Sequence, residues 1–451
     1  MPHRSILTAL LPGLLAVMTL GTPGCTAARV ENVPLAEFQR GAGYGAHFRE
    51  MDHDEDLRVL LAFSGGGTRA SALAYGVMKE LRATQVRLGG TPATVLDQVS
   101  TISSVSGGSF TAAYYGLYGD RIFEDFEDRF LKFNIDARLA VNLLRPLKLA
   151  RIMLTPYTRT DMAADLYDKL IFEGKTFADL EAAGGPLLTI NATDLDLGHV
   201  FTFWQPQFNL ICSDLSKMRV TTAVTASSSV PGVFTPTVIR NSTGTCGYPE
   251  PRWIGAALAD PSRSRRRTHA AEAAATLLDG DKRPYLFLVD GGIADNIGGR
   301  RIVDNVIEAG DVFTLTEAGG ARLPRHLLII VVNAQAAHHD WAKTPRAPSV
   351  RRTLGSLSGI GIYNYNFETL ELLRESAGEW ARQAKAGGVD VTPHVVEIAF
   401  DQIKDPAERQ FFNEVKTSFN LDDETVDRLI DVGGRLLRES PEFKSFMASV
   451  D

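Results

Sequence analysis

The sequence predicts an α/β protein built on a mainly parallel central sheet, with a helical C-terminal extension. Three observations predict it. Short apolar runs fit for buried strands recur at 57–63, 98–104, 187–190, 285–289 and 327–332. Small-residue turns follow several of them, and helical spacing follows the turns. Long, partly helical segments separate the runs, as parallel strands with crossover helices require.

The elements can be justified in order. After the run 57–63 comes Ser64-Gly65-Gly66-Gly67-Thr68-Arg69, then Ala70, Leu73, Ala74, Val77, Met78 and Leu81 at helical spacing. The run 98–104 leads into the turn Val105-Ser106-Gly107-Gly108 and a helix over 109–118. The run 327–332 is rich in β-branched residues, and 395–400 adds a late strand. Beyond it, 405–419 and 422–447 are amphipathic helices. A hydrophobic share of 44% and a charged share of 22% suit a globular chain. A net charge of −7 gives no basic excess of the kind nucleic-acid binding shows, so no nucleic-acid partner is expected.

The first 25 residues read as a signal peptide. His3 and Arg4 precede an almost uncharged apolar stretch over 6–20, too short for a membrane span, and Gly21-Thr22-Pro23-Gly24-Cys25 closes it. The Gly-Cys end resembles the cleavage site of bacterial lipoproteins, which makes Cys25 the candidate lipidation site; a plain signal cut nearby is the alternative. The expectation is a protein exported to the bacterial cell envelope. Lipid at Cys25 would anchor it, in the outer membrane of a double-membraned host; without lipid it would be periplasmic or secreted. Cys212 and Cys246 are then left as a pair that is either a disulfide or two buried thiols. Residues 26–56 read as a polar tether, 57–335 as the catalytic domain with an insertion at 253–284, and 336–451 as the mostly helical extension.

Two segments stand outside a minimal sheet. The stretch 138–155 carries Arg138, Arg145, Lys148 and Arg151 among many apolar residues, contains no acid and is broken at Pro146. It reads first as a pair of core-covering helices and second as a contact for an anionic lipid surface. The run Ser262 to Arg267, inside the insertion, reads as a solvated loop, with a headgroup contact as the other reading.

Acyl transfer needs a nucleophile, a base and oxyanion donors. Ser104-Val105-Ser106-Gly107-Gly108 offers Ser106 at a sharp strand-to-helix turn, with Ser104 standing where the usual Gly-x-Ser-x-Gly has its first glycine. The glycines 65–67 open a helix and point several amides into one concavity. No Gly-Lys-Ser/Thr follows, which excludes a phosphate loop. Asp290-Gly291-Gly292 follows the run 285–289, at the edge where open α/β sheets place their sites.

Together, in this order, these segments resemble the patatin-like phospholipases over roughly residues 57–335. Thr222 to Pro231, with Phe234 and Pro236, is similar to that family's Ala/Ser-rich helix, and Asn191-Ala192-Thr193-Asp194 to its post-strand turn. The resemblance implies a three-layer patatin-like fold and a lipid acyl hydrolase of the phospholipase A or lysophospholipase type. It implies a Ser106–Asp290 dyad, an acyl-enzyme, an oxyanion hole from Gly65, Gly66 and Gly67, and Arg69 supporting that loop. Its substrate would be a phospholipid or other acyl lipid at a membrane surface, with no cofactor and no metal. Nothing in the residues identifies a protein partner.

Two rivals remain. Ser106, Asp290 and His338 follow the chain order of a Ser-His-Asp esterase of the α/β-hydrolase type. The other rival is a non-catalytic envelope lipoprotein that only binds lipid.

Overall fold

The computed structural model describes residues 29–45, 57–318, 322–336 and 350–450. Cys25 and the leader, the acidic run before residue 57, and His338 lie outside them.

An eight-stranded mixed sheet forms the centre. Its strands are β1 (Leu57–Phe63), β2 (Val99–Val105), β3 (Leu187–Asp194), β4 (Val200–Phe203), β5 (Thr237–Arg240), β6 (Tyr285–Val289), β7 (His326–Asn333) and β8 (Thr392–Ala399). Their order is β8-β7-β1-β2-β3-β6-β5, with β4 paired to β3. The five strands from β8 to β3 run parallel; β6, β5 and β4 are antiparallel to their neighbours. Strand β1 reads LRVLLAF and β7 HLLIIVVN because helices cover both faces of a parallel sheet, so neither side needs polar residues.

Three differences from the sequence expectations have physical causes. The turn expected at 191–194 is strand, since β3 continues to Asp194, where it pairs with β6. Of the segment expected as a tether, the described residues 29–45 are packed: Val33–Pro34 pairs with Ser213–Asp214, and the buried Tyr44 hydroxyl accepts the Leu188 amide hydrogen. The helical C-terminal region and its late strand are present as expected, and the described residues 350–450 are packed into the fold. Strand β8 lies at the sheet edge beside β7, and Asp423–Glu439 packs so tightly on Thr68–Ala83 that a methyl on Gly76 would meet the Ile430 carbonyl oxygen at 2.0 Å. Third, the insertion is two helices, Arg252–Ala259 and Arg265–Leu277. Ser264 caps the second, and Arg267 donates to the Glu308 and Ala309 carbonyls.

Helices α1 (Thr68–Ala83) and α2 (Gly107–Tyr118) follow β1 and β2, and their buried faces close one side of the sheet. Helices α3 (Ile135–Leu143) and α4 (Pro146–Leu154) form the basic stretch. Asn134 caps α3 through the Ala137 amide, and Pro146 opens α4 at a position where its missing N–H costs nothing. Nothing in α4 is buried, and of α3 only Ile135 is, with Leu139 half-buried against the core, so the pair covers the core through the start of α3 alone. Helix α5 (Val220–Ser227) and the short helix α6 (Gly292–Asp295) complete the surroundings of the site. Among the described residues, no helix is long and apolar enough to cross a membrane.

Candidate functional site

Strand register brings the two main candidates together. Val105 of β2 pairs with Asn191 of β3, so Ser106 stands level with Ala192. Val289 of β6 pairs with Thr193 in the opposite sense, so Asp290 is also level with Ala192. Asp290 thus reaches the carboxyl edge of β3 even though its own strand runs the other way.

The Ser106 hydroxyl donates to Asp290 Oδ2 at 2.9 Å, and both residues are nearly buried. Ser106 has φ 49°, a conformation rare for a side chain with a Cβ and one that marks a sharp elbow between strand and helix. Ser104, in place of the usual glycine, is fully buried and fits within β2. Asp290 Oδ1 accepts the Gly292 amide hydrogen at 2.8 Å, which fixes the carboxylate. Burial pushes the Asp290 carboxyl up from 3.8 to about 6, against the lowering pull of Gly292 and Ser106. Among the described residues, the hydrogen-bond partners of this carboxylate are a serine hydroxyl and a backbone amide.

The glycine turn divides. The Gly65 amide donates to the Asn296 carbonyl at 2.8 Å, so it is not available to an oxyanion. The expected trio therefore loses one member, because the turn uses that amide to hold the chain after Asp290. Gly66 and Gly67 take the positive φ values of 143° and 60°, and their amides have no acceptor among the described residues. The Gly107 amide, directly after Ser106, is likewise without one. Arg69 lies against Gly66 and is buried; it donates to the Ala334 carbonyl at 2.9 Å and to the Val415 carbonyl at 2.5 Å. Burial lowers its pKa to about 10. It ties the end of β7 and the C-terminal segment beneath the turn.

Ser227 is a residue the sequence reading did not single out. Its hydroxyl accepts the Ser106 amide hydrogen at 2.8 Å and donates to the Asn191 carbonyl at 2.6 Å. Its carbonyl accepts the Gly291 amide hydrogen at 3.0 Å. One residue at the end of α5 thereby fixes both the serine and the aspartate arms. Thr193 adds a bond from its hydroxyl to the Asp290 carbonyl at 2.8 Å. The only sequence signal was the serine-rich helix end, where three consecutive serines give no reason to prefer Ser227.

A buried serine bonded to a basic carboxylate on an α/β sheet, facing free amides, is an arrangement suited to nucleophilic attack on an ester. The profile of the family described as patatin-like phospholipase matches residues 61–298, and the chain belongs to that family. Among solved structures, human GIVD cytosolic phospholipase A2 is similar at a TM-score of 0.46 and 15% identity, covering 88% of this chain and 63% of that one. The same human enzyme in complex with methyl gamma-linolenyl fluorophosphonate gives 0.41 and 15%, covering 88% and 60%. The chain therefore spans about three fifths of the length of these human structures. No curated protein matches it.

Proposed function

We propose that this chain hydrolyses carboxylic esters of lipids through a Ser106–Asp290 dyad. The observation that carries the proposal is the 2.9 Å hydrogen bond from the serine hydroxyl to a buried carboxylate. Family membership supports an acyl-lipid substrate. In the first half-reaction Ser106 Oγ bonds to the ester carbonyl carbon and its proton passes to Asp290 Oδ2. The amides of Gly66 and Gly67, with that of Gly107, hold the oxyanion. The carbon–oxygen ester bond then breaks, and the leaving alcohol takes the proton from Asp290. In the second half-reaction Asp290 takes a proton from water, whose oxygen attacks the acyl-serine. Fatty acid leaves, and Ser106 recovers its proton.

Export, with an anchor at Cys25, belongs to the same proposal. A Cys212–Cys246 disulfide supports it, because such bonds persist in oxidising compartments.

The test is fatty-acid release from mixed phospholipid vesicles by the parent and by Ser106→Ala, Asp290→Asn and His338→Ala variants. Loss in the first two with retention in the third is expected. Loss in the histidine variant, with folding intact, would replace the dyad by a triad. Release by none, the parent included, would favour a lipid-binding role.

A further inference from the structure

The α3–α4 hairpin presents a surface that the proposed hydrolysis does not use. Leu147, Leu154 and Leu144 are 86%, 81% and 78% exposed, with Met153, Val141 and Leu149 also exposed beside them. So much apolar area on two adjacent short helices is unusual for a protein surface left to water. Arg138, Arg145, Lys148 and Arg151 stand among these residues, and no acidic side chain occurs from Ala137 to Thr160. Arg151 is engaged: it lies 3.7 Å over the Tyr157 ring and 4.0 Å from Asp165. Arg138, Arg145 and Lys148 have no carboxylate partner among the described residues. The chain as a whole carries −7, so this basic and apolar patch runs against the overall charge.

The base of the hairpin is tied to both sides of the Ser106 site. At its start, the Ile135 amide donates to the Phe419 carbonyl, and Asp136 accepts the Phe419 amide hydrogen. The neighbouring Ser418 carbonyl accepts the Thr68 amide hydrogen, against the glycine turn. Beyond its end, Thr160 bonds to Thr235, which follows the loop carrying the exposed Val230 and Val233. That loop begins next to Ser229, whose carbonyl accepts the Asp290 amide hydrogen.

We infer that the α3–α4 hairpin docks the protein onto an anionic phospholipid bilayer, its leucines entering the headgroup boundary and Arg138, Arg145 and Lys148 meeting lipid phosphates. The occupant follows from charge: three cations without a carboxylate partner among the described residues, Lys148 standing 5.8 Å over the Tyr157 ring, are set between exposed leucines and match a surface that is anionic outside and apolar beneath. This assignment concerns how the site is brought to lipid and rests on the lipid reading of that site, but docking itself needs no turnover.

The test uses the full chain with Cys25→Ser and Ser106→Ala, so that neither an acyl anchor nor hydrolysis contributes. Leu147→Cys is added and labelled with an environment-sensitive fluorophore, Cys212 and Cys246 being tied to each other. Addition of phosphatidylcholine vesicles containing phosphatidylglycerol is expected to shift the emission to the blue, and high salt to reverse it. Removing Arg138, Arg145 and Lys148 as glutamines should weaken the response roughly fivefold per cation. No shift on anionic vesicles would overturn the inference, as would an equal shift on phosphatidylcholine alone. A probe already blue-shifted before lipid is added, and unchanged by it, would show that protein covers the hairpin and would also overturn it. Hydrolysis measured with Ser106 intact is separate, so docking and chemistry can fail independently.

Discussion

Gly107 lies so close to Gly67 that a methyl group on it would sit 2.2 Å from the Gly67 carbonyl oxygen. The serine elbow and the glycine turn are therefore in backbone contact, and the distance from Ser106 to the amides facing it is set by the absence of a side chain. Gly107→Ala must push the two turns apart. It should cost about 1–3 kcal/mol of stability and lower ester turnover by about 100-fold or more, because displaced amides no longer meet the oxyanion. Thermal melting and the rate of fluorophosphonate labelling at Ser106 measure the two effects. An unchanged labelling rate would mean that the turns separate without consequence and that Gly67 is not a donor.

Ser227 acts through other groups, so its removal has a distinct signature. Ser227→Ala leaves the Ser106 amide and the Asn191 carbonyl without their buried partner, at a cost of about 1–3 kcal/mol. The substrate does not touch this hydroxyl in the proposed reaction. The expected result is a fall in kcat of roughly tenfold or more with KM little changed. Steady-state kinetics on a soluble short-chain ester separates the two constants. A rise in KM with kcat preserved would place Ser227 in substrate binding instead.

What the sequence made legible depended on the kind of force involved. The buried parallel strands β1 and β7 stood out because burial on both faces leaves an unbroken apolar run. Strands β4 and β5 did not, being four residues each and set in segments whose pattern names no element. Strand direction left no trace either. Asp290 was placed at the sheet's carboxyl edge by a rule for parallel strands, yet β6 is antiparallel and register alone delivers it. Residues 29–45 looked like tether because hydropathy cannot show backbone bonds such as Leu35 to Cys212. The Gly65 amide was counted as a donor for the same reason: composition shows how many amides a turn has, not which of them the fold already uses.

The Cys212–Cys246 disulfide joins residues 34 apart in sequence. Loop closure of that size stabilises by about 4 kcal/mol in the chain-entropy account. The bond also organises the N-terminal segment, since the carbonyls of Cys212 and Cys246 accept the Leu35 and Phe38 amide hydrogens, both at 2.8 Å. Replacing both cysteines by serine should lower the denaturant midpoint accordingly and speed hydrogen exchange at Leu35 and Phe38 before any change at β1. Slow exchange at those two amides in the double variant would show that β-pairing to Ser213 and Asp214 holds the segment unaided.

Asp290 links activity and stability through one proton. Its carboxyl must be ionised to accept the serine proton, and burial holds its pKa at about 6. The kcat/KM of the free enzyme should therefore fall about tenfold per pH unit below pH 6 and level off above it. The stability sign is the reverse. Between 3.8 and 6 the folded state holds this proton more tightly than the unfolded chain does, so stability falls as pH rises through that window. At about 1.4 kcal/mol per pH unit the loss is about 3 kcal/mol, complete above pH 6. Asp295, which burial pushes up to about 7, acts in the same direction across a window reaching to neutral pH. Asp290→Asn cannot ionise and escapes its share. It should be inactive, yet melt higher than the parent at pH 8, with the difference vanishing near pH 3. Melting curves at both pH values, on parent and variant, decide the matter. A variant no more stable than the parent at pH 8 would mean that the carboxylate is already fully compensated by Gly292 and Ser106, and the acid limb of the activity profile should then lie near pH 4 instead of 6.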